Sequence, residues 1–401
     1  MANRRDVRLG QRANLHQRAL DGVIAGHLRP YWTCGPAQLE RRRCSSPGCE
    51  YVPMSAKRHH YVPRVILRRF SSDPDAANPP LVRLDVSSGT PEKTNVNNEA
   101  VIGQYYRLTD GANLKPNHAE ETLGKIESEA AEPIRKLVNG EPLTVAERVQ
   151  MAFFLHVQRQ RTPLARKWSA SMYGSMARII TETNLQNSDL VREQFSKFDP
   201  TKSNEEIERW RLEILEDLRS GRLVLEADQD HEVAGIFFVA DRVVPVIAER
   251  MAWVSLRAEA GSTFVCSDHP LHIYDRNAPP GHGVGWVSSP TTEVTMPIDQ
   301  RVCLLLKRGP PTEEVDTADA GTVQEINLRT YASAQWSIYG PYQQVVQDVR
   351  TLAKRSRARL AELQPRPPRL VIFERVEGEA RPQLTTVYRP PSGRPERRPK
   401  R

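Results

Sequence analysis

Two adjacent histidines, His59 and His60, lie in the part of the chain that is densest in groups able to bind or titrate. Residues 57–70 contain five basic residues and no acidic residue. The unperturbed pKa of imidazole lies near neutrality, so a histidine pair suits metal binding or acid–base chemistry. His60 is the candidate catalytic base or metal ligand, and the alternative is that both histidines cap or buttress the helix that follows.

Three arginines follow the histidines on a predicted short helix: Arg64, Arg68 and Arg69. A guanidinium group holds phosphate or carboxylate through two parallel hydrogen bonds. Together with His59, these arginines are candidate binding residues for an anionic ligand. The alternative is that they are solvated or paired with acidic residues.

A second candidate segment is residues 158–163, at the end of a predicted helix. Gln158 is a candidate ligand-binding residue, and Arg161 is a candidate for stabilising anionic charge in the same pocket as His60. Cations at a helix C-terminus also complement the helix dipole. That effect offers a structural explanation for both Arg159 and Arg161.

A third candidate segment, residues 266–270, follows an apolar strand-like run and contains Asp268 and His269. Loops after strands often present functional groups, and Asp268 is the candidate ligand or orienting residue of a catalytic site. An aspartate before His-Pro is equally typical of a turn. His59, His60, Asp268, His269 and Glu127 have the side-chain types that bind a divalent metal, although Glu127 is equally typical of a helix surface.

Charge and motif content exclude several broad classes. The chain has 401 residues and a formal charge of +8, but its termini (residues 1–53 and 389–401) each carry +5, leaving −2 for residues 54–388. A broad nucleic-acid surface is therefore not indicated, whereas residues 57–69 form a local basic patch. P-loop, HExxH and GxSxG motifs are absent from the sequence.

The cysteines and the hydropathy pattern favour a cytoplasmic protein with no membrane span. There are five cysteines; Cys34, Cys44 and Cys49 have spacings that match no usual zinc finger, and Cys266 and Cys303 lie in apolar runs. No run of 18 apolar residues occurs. The sequence leaves the oligomeric state open.

Hydrophobic periodicity and turn residues predict the order of elements. We expect a short helix from Pro63, a hairpin with strands near 81–86 and 101–108, helices near 123–138, 144–163, 164–183, 203–219 and 229–250, strands near 252–257, 263–266, 271–274, 293–297 and 302–306, helices near 313–334 and 341–362, and strands near 369–375 and 384–388.

This order predicts an α+β fold, in which a central helical block is followed by a mainly antiparallel β-rich part with packed helices. We expect a single domain over residues 54–388, with its helical part at 119–250 and its β-rich part at 251–388. Residues 1–53 are expected to be a disordered arm or an extension of the gene model, and residues 389–401 a disordered basic tail.

Four short motifs, in this order and separation, resemble the bacterial domain-of-unknown-function family 4238. They are His59-His60-Tyr61-Val62-Pro63, Leu67-Arg68-Arg69-Phe70, Gln160-Arg161-Thr162-Pro163 and Ser267-Asp268-His269-Pro270. The resemblance covers about residues 56–345 and implies a domain with signature residues rather than a reaction. The family pattern often has Asn at the position of His269, which favours Asp268 as the functional residue.

Two functional hypotheses follow. The first is a nuclease-like hydrolase acting on a phosphodiester, with a divalent metal as a candidate cofactor and with His60, Arg161 and Asp268 as its catalytic residues. The alternative is a non-catalytic protein that binds an acidic ligand or nucleic acid through its arginines. In a third hypothesis the motifs are purely architectural.

Overall fold

The computed structural model describes residues 58–108, 115–225, 227–278, 285–286, 289–365, 370–374 and 383–388. These residues fall into two compact units, one holding residues 170–228 and the other holding the described residues 58–169 and those from 229 onward. The four motifs lie in the second unit. Residues 1–53, 389–401 and the three N-terminal cysteines lie outside the described residues, and the single domain over 54–388 stays a prediction.

Short elements open the described chain. They are Arg58–His60 (β1), Arg64–Leu67 (α1), Pro80–Asp85 (β2), Pro91–Asn95 (β3) and Val101–Gly103 (β4). Pro63 precedes α1, and its carbonyl accepts the Leu67 N–H at 3.0 Å. The sequence predicted Pro63 as the first helical residue, but it is the N-cap residue, with a φ of −56° and an extended ψ of 141°, and the helix begins at Arg64.

A run of helices follows. The helices are His118–Asn139 (α2), Val145–Gln160 (α3), Pro163–Gln186 (α4), Ser188–Phe198 (α5), Asn204–Ser220 (α6), Gln229–Ala234 (α7) and Ala240–Glu249 (α8). Local signals set the boundary between α2 and α3. Gly140 ends α2 with a φ of 77°, and Thr144 and Glu147 form the predicted capping box at the start of α3.

Most of the strands lie in the remainder of the described chain, together with three helices. These elements are Met251–Ala258 (β5), Cys266–Ser267 (β6), His272–Asp275 (β7), Thr292–Pro297 (β8), Val302–Arg308 (β9), Glu313–Ala318 (β10), Ala320–Ser333 (α9), Ser337–Gly340 (β11), Gln343–Arg355 (α10), Arg357–Glu362 (α11), Leu370–Glu374 (β12) and Gln383–Tyr388 (β13). The α+β class predicted from the sequence is confirmed.

Two sheets carry most of the strands. One has five strands in the order β10-β5-β9-β8-β7, and the other has four in the order β3-β2-β11-β6. Pairing is antiparallel throughout these two sheets except between β10 and β5. The sheets are therefore mainly antiparallel, as expected, with one parallel edge pair.

The four-stranded sheet is covered by α10, whose apolar face points into the core. Val346 and Val349 of α10 pack in one buried cluster with Leu84 of β2 and Ile338 of β11. The spacing of the two valines matches one face of a helix. Strand β11 also pairs with β6, and the residue after β6 is Asp268.

One predicted strand pairing is wrong. The sequence paired strands near 81–86 and 101–108 in a hairpin, but β2 pairs with β3, and β4 pairs with β1. The β3 sequence is polar throughout and begins with proline, so it lacks the alternation that marks a strand. It is a strand because β2 supplies backbone hydrogen bonds. The strand propensities of the β3 residues do not include this contribution.

Several predicted helices have different bounds. The helix expected over 229–250 is two helices, α7 and α8, with Val239 between them at a φ of 55°. Pro245 lies inside α8 rather than at a kink between them. The helix expected over 313–334 begins only at Ala320, because residues 313–318 form the edge strand β10, and α5 and β11 were missed. No helix in the described part of the chain is long and apolar enough to cross a membrane.

Candidate functional site

His59 is fully buried and anchors β1 to the segment after β4. Its Nδ1 accepts the backbone N–H of Tyr106 at 2.9 Å, and its ring stacks on the Tyr106 ring with centroids 5.5 Å apart. The carboxylate of Glu120 lies 3.9 Å from the same nitrogen. The contacts of His59 are therefore those of a residue that holds the local chain in place.

His60 is half-buried, and its carbonyl oxygen and its imidazole have different surroundings. The carbonyl accepts from Arg161 Nη2 at 3.2 Å and from the Tyr106 hydroxyl at 3.4 Å. Among the described residues, its Nε2 has no hydrogen-bond partner. Burial is the largest influence on the pKa of His60 and lowers it to about 4; a hydrogen bond with the Val96 backbone opposes this shift, and nearby arginines add to it. The imidazole is therefore neutral at pH 7.

Arg161 lies close to His60, where it binds backbone atoms. Its Nε donates to the Tyr61 carbonyl at 3.0 Å, and its Nη1 donates to Glu127 at 2.8 Å. Gln158, one helical turn earlier, also donates to the Tyr61 carbonyl, at 3.2 Å. Burial opposes the Arg161 charge, but the Glu127 carboxylate raises its pKa overall.

Asp268 is buried and accepts three backbone N–H groups. Oδ1 accepts from Gln335 at 2.8 Å, and Oδ2 accepts from Trp336 at 2.7 Å and from Ser337 at 3.1 Å. The Asp268 N–H in turn donates to the Ser337 carbonyl at 3.1 Å. Asp268 thus joins the end of β6 to the chain that enters β11.

A second group of side chains forms where the Arg161 and Asp268 motifs meet. His269 Nδ1 lies 2.5 Å from Thr162 Oγ1, and its Nε2 lies 2.7 Å from Arg159 Nη1. An arginine can only donate, so Nε2 of this imidazole is an acceptor and Nδ1 carries the proton that is donated to Thr162. His269 is therefore neutral, with both ring nitrogens occupied, and it orients Arg159.

Arg159 is the half-buried cation of this group. Among the described residues no carboxylate pairs with it, and its guanidinium lies 5.3 Å from the centroid of the Trp168 ring. Burial lowers its pKa to about 10, which leaves it charged at pH 7. Its hydrogen bond goes to His269 and not to the last carbonyls of α3, so the helix dipole alone does not account for its position.

The three arginines that follow the histidines have different surroundings. Arg64 is exposed, Arg68 is half-buried, and Arg69 lies 3.9 Å from a carboxylate oxygen of Asp299. Burial is the largest influence on Arg69 and lowers its pKa. These arginines stay candidate ligand-binding residues, but the structure brings none of them into the group around Arg159.

The structure thus joins three motifs through a mixture of side-chain and backbone contacts. Arg161 links α3 to the His60–Tyr61 backbone, and the adjacent Thr162 links it to His269. The sequence did not identify Arg159 as the cation next to His269. The direction in which a side chain of the last helical turn faces depends on where the helix ends, and the sequence does not fix that residue. Among the described residues, no three histidine, cysteine, aspartate or glutamate side chains are placed to hold a metal ion.

Buried neutral histidines make stability depend on pH. Burial lowers the pKa of His156 to about 4, and it lowers the pKa values of His269 and His272 well below the usual range. In the unfolded chain these residues titrate near pH 6.5, so below that pH the unfolded state binds more protons. Stability is therefore lost as the pH falls from about 6.5 towards 4.

We expect the free energy of unfolding, measured by urea denaturation, to fall between pH 6.5 and 4.5. Each fully buried histidine contributes a slope of up to about 1.4 kcal/mol per pH unit. His156→Phe should reduce the slope by about that amount while leaving the protein folded at pH 7.5. An unchanged slope in this variant would show that His156 is not buried in its neutral form.

These features define an α+β protein with a buried polar centre at which three sequence motifs meet. A family model described as "Protein of unknown function (DUF4238)" matches residues 58–343. The chain therefore belongs to domain-of-unknown-function family 4238. Comparison with curated proteins and with solved structures found no match.

Proposed function

We propose that the protein binds a small anionic ligand at Arg159. The observation that carries this proposal is a half-buried guanidinium that has no carboxylate partner among the described residues. An uncompensated charge away from water is costly, and a bound anion would remove that cost. The group formed by Arg159, His269, Thr162 and Trp168 is called the Arg159 site below.

The surroundings of Arg159 support binding of an anion rather than a structural ion pair. His269 uses the lone pair of Nε2 to hold one Nη group, which leaves the other N–H donors of the guanidinium for a ligand. Trp168 offers an aromatic face to the same cation. In contrast, the buried arginines Arg148, Arg161 and Arg166 each pair with a glutamate.

The geometry supports binding better than hydrolysis of a phosphodiester. Hydrolysis by the predicted set requires His60, Arg161 and Asp268 to act together on one substrate. Arg161 is bound to two backbone carbonyls and Glu127, and Asp268 is bound to three backbone N–H groups. Of the three residues, only His60 has a side-chain nitrogen, Nε2, without a hydrogen-bond partner among the described residues, and a pKa of about 4 makes it a weak base.

The direct test is isothermal titration calorimetry of the purified protein with inorganic phosphate. We expect Arg159→Gln to weaken binding about 10- to 100-fold, because charge-assisted hydrogen bonds contribute roughly 1.5–3 kcal/mol. The matched control is Arg135→Gln, since Arg135 lies on the surface and pairs with Glu132 and Glu141. Its affinity should equal that of the unmodified protein.

Two results would contradict the proposal. One is the absence of measurable binding of phosphate or sulfate by the unmodified protein, or equal binding by Arg159→Gln. The other is hydrolysis of bis(p-nitrophenyl) phosphate that disappears in His60→Ala but persists in Arg159→Gln. That second result would place the function at His60 and support the phosphodiester hydrolase.

A further inference from the structure

The guanidinium group of Arg159 is held at one of its three nitrogens. Nη1 donates to His269 Nε2 at 2.7 Å, and among the described residues Nε and Nη2 have no hydrogen-bond partner. The buried side-chain atoms that lack a partner in the described chain do not include these two nitrogens, so neither is sealed from solvent. Both N–H groups are therefore accessible to an incoming ligand.

The two accessible N–H groups of Arg159 lie along one edge of the guanidinium plane. Nε–H and one N–H of Nη2 point in parallel from this edge, which matches two oxygens of a single carboxylate or phosphate group. The Trp168 ring lies against a face of the same guanidinium, with its centroid 5.3 Å from Cζ. The edge, and not this face, is the part of Arg159 that is left for a ligand.

Thr162 and His269 determine how Arg159 is held. Thr162 Oγ1 lies 2.5 Å from His269 Nδ1, and both residues are at most 1% exposed. A neutral imidazole has one N–H, and Nδ1 carries it because Nε2 accepts from Arg159. By accepting this N–H, the Thr162 hydroxyl keeps Nε2 as the acceptor that holds Arg159. Thr162 is thus a positioning residue that acts through His269.

We propose that the Arg159 site binds the two oxygens of a carboxylate or phosphate group side-on, through Nε–H and Nη2–H. We further infer that Thr162 positions Arg159 for this contact by fixing the tautomer of His269. This inference rests on the proposed function, and it specifies the binding mode and the residue that prepares the site. Inorganic phosphate is the probe, and acetate titrated in parallel shows whether the oxygen pair of a carboxylate is also accepted.

Arg159→Lys tests the side-on contact. A lysine keeps the positive charge but has no pair of parallel N–H groups. We expect the affinity for phosphate, measured by calorimetry at pH 7.5, to fall about 10-fold, because one charge-assisted hydrogen bond is lost. Equal affinity in Arg159→Lys would show that charge alone binds the anion and would overturn the side-on contact.

Thr162→Val tests the positioning role, because it removes the acceptor for Nδ1–H with little change in size. We expect the His269 proton to move to Nε2, since a buried N–H without an acceptor is costly while the half-buried Arg159 can turn towards water. The affinity for phosphate should fall about 3- to 10-fold, because the ligand must then order a free side chain. Heteronuclear NMR spectra of the histidine rings report the tautomer.

Two further variants make the Thr162 result specific. Thr162→Ser keeps the hydroxyl and should retain both the tautomer of His269 and the affinity of the unmodified protein. Thr330→Val is the same substitution at another buried threonine, whose hydroxyl donates to the Ile326 carbonyl at 3.0 Å. It should leave the affinity for phosphate unchanged. An equal loss of affinity in Thr330→Val would overturn the positioning role of Thr162.

The outcomes separate this inference from the proposed function. Loss of phosphate binding in Arg159→Gln, together with an unchanged affinity in Thr162→Val, would overturn the role of Thr162 while supporting the anion site. A lower affinity in Thr162→Val with an unchanged tautomer would also overturn it, because Thr162 would then have only a structural role. Absence of phosphate binding by the unmodified protein would overturn the proposed function and this inference together.

Discussion

Replacement of Asp268 by alanine is expected to destabilise the fold by about 3–5 kcal/mol. The side chain accepts the N–H groups of Gln335, Trp336 and Ser337, all of which are buried. A buried donor without an acceptor costs about 1–3 kcal/mol, and relaxation with water entry recovers part of that sum. Urea denaturation followed by circular dichroism measures the loss.

Two companion variants make the Asp268 result specific. Asp268→Asn keeps one acceptor oxygen but turns an NH₂ group towards backbone donors, so we expect a loss of at least 2 kcal/mol. Asp348→Ala, on the exposed face of α10, should change stability by less than about 0.5 kcal/mol. A stable Asp268→Ala protein that lost phosphate binding or phosphodiester turnover would instead give Asp268 a direct role with the ligand.

The elements that could be predicted from the sequence are those specified by neighbouring residues. The start of α3 depends on Thr144 and Glu147, and the end of α2 depends on Gly140, so each boundary is encoded within a few positions. The strand β3 is the opposite case. Its polar residues become a strand only because β2, several residues earlier, presents an edge to pair with.

The motifs that meet near Arg161 can be named from the sequence, but the atoms that contact one another cannot. The Arg161 guanidinium donates to the backbone carbonyls of His60 and Tyr61. The partners of Asp268 lie at least 67 residues further along the chain, and they contribute backbone N–H groups that have no signature in the sequence. Side-chain types alone could therefore not predict these contacts with backbone groups.

Replacement of Arg161 by alanine is expected to destabilise the protein by about 3–5 kcal/mol. Most of this loss should come from the hydrogen bonds that Arg161 donates to backbone carbonyls. The side chain is 1% exposed and donates to the carbonyls of His60 and Tyr61 as well as to Glu127. Removing one side of such a buried network leaves polar groups unpaired. The Glu127 side chain is 27% exposed, so water can replace its lost partner at lower cost.

A double-mutant cycle separates the two contributions. Glu127→Gln alone should cost about 1 kcal/mol or less, and the cycle with Arg161→Ala should give a coupling energy well below the full loss for Arg161. Arg161→Lys tests whether the planar guanidinium group is required. One ammonium group cannot reach two carbonyls and a carboxylate together, so we expect a loss of stability of about 2 kcal/mol. Phosphate binding at Arg159 should persist in any of these variants that remains folded.

A coupling energy equal to the full loss of stability in Arg161→Ala would contradict this prediction. It would show that the stabilising interaction is the ion pair with Glu127 and not the hydrogen bonds to the His60 and Tyr61 carbonyls.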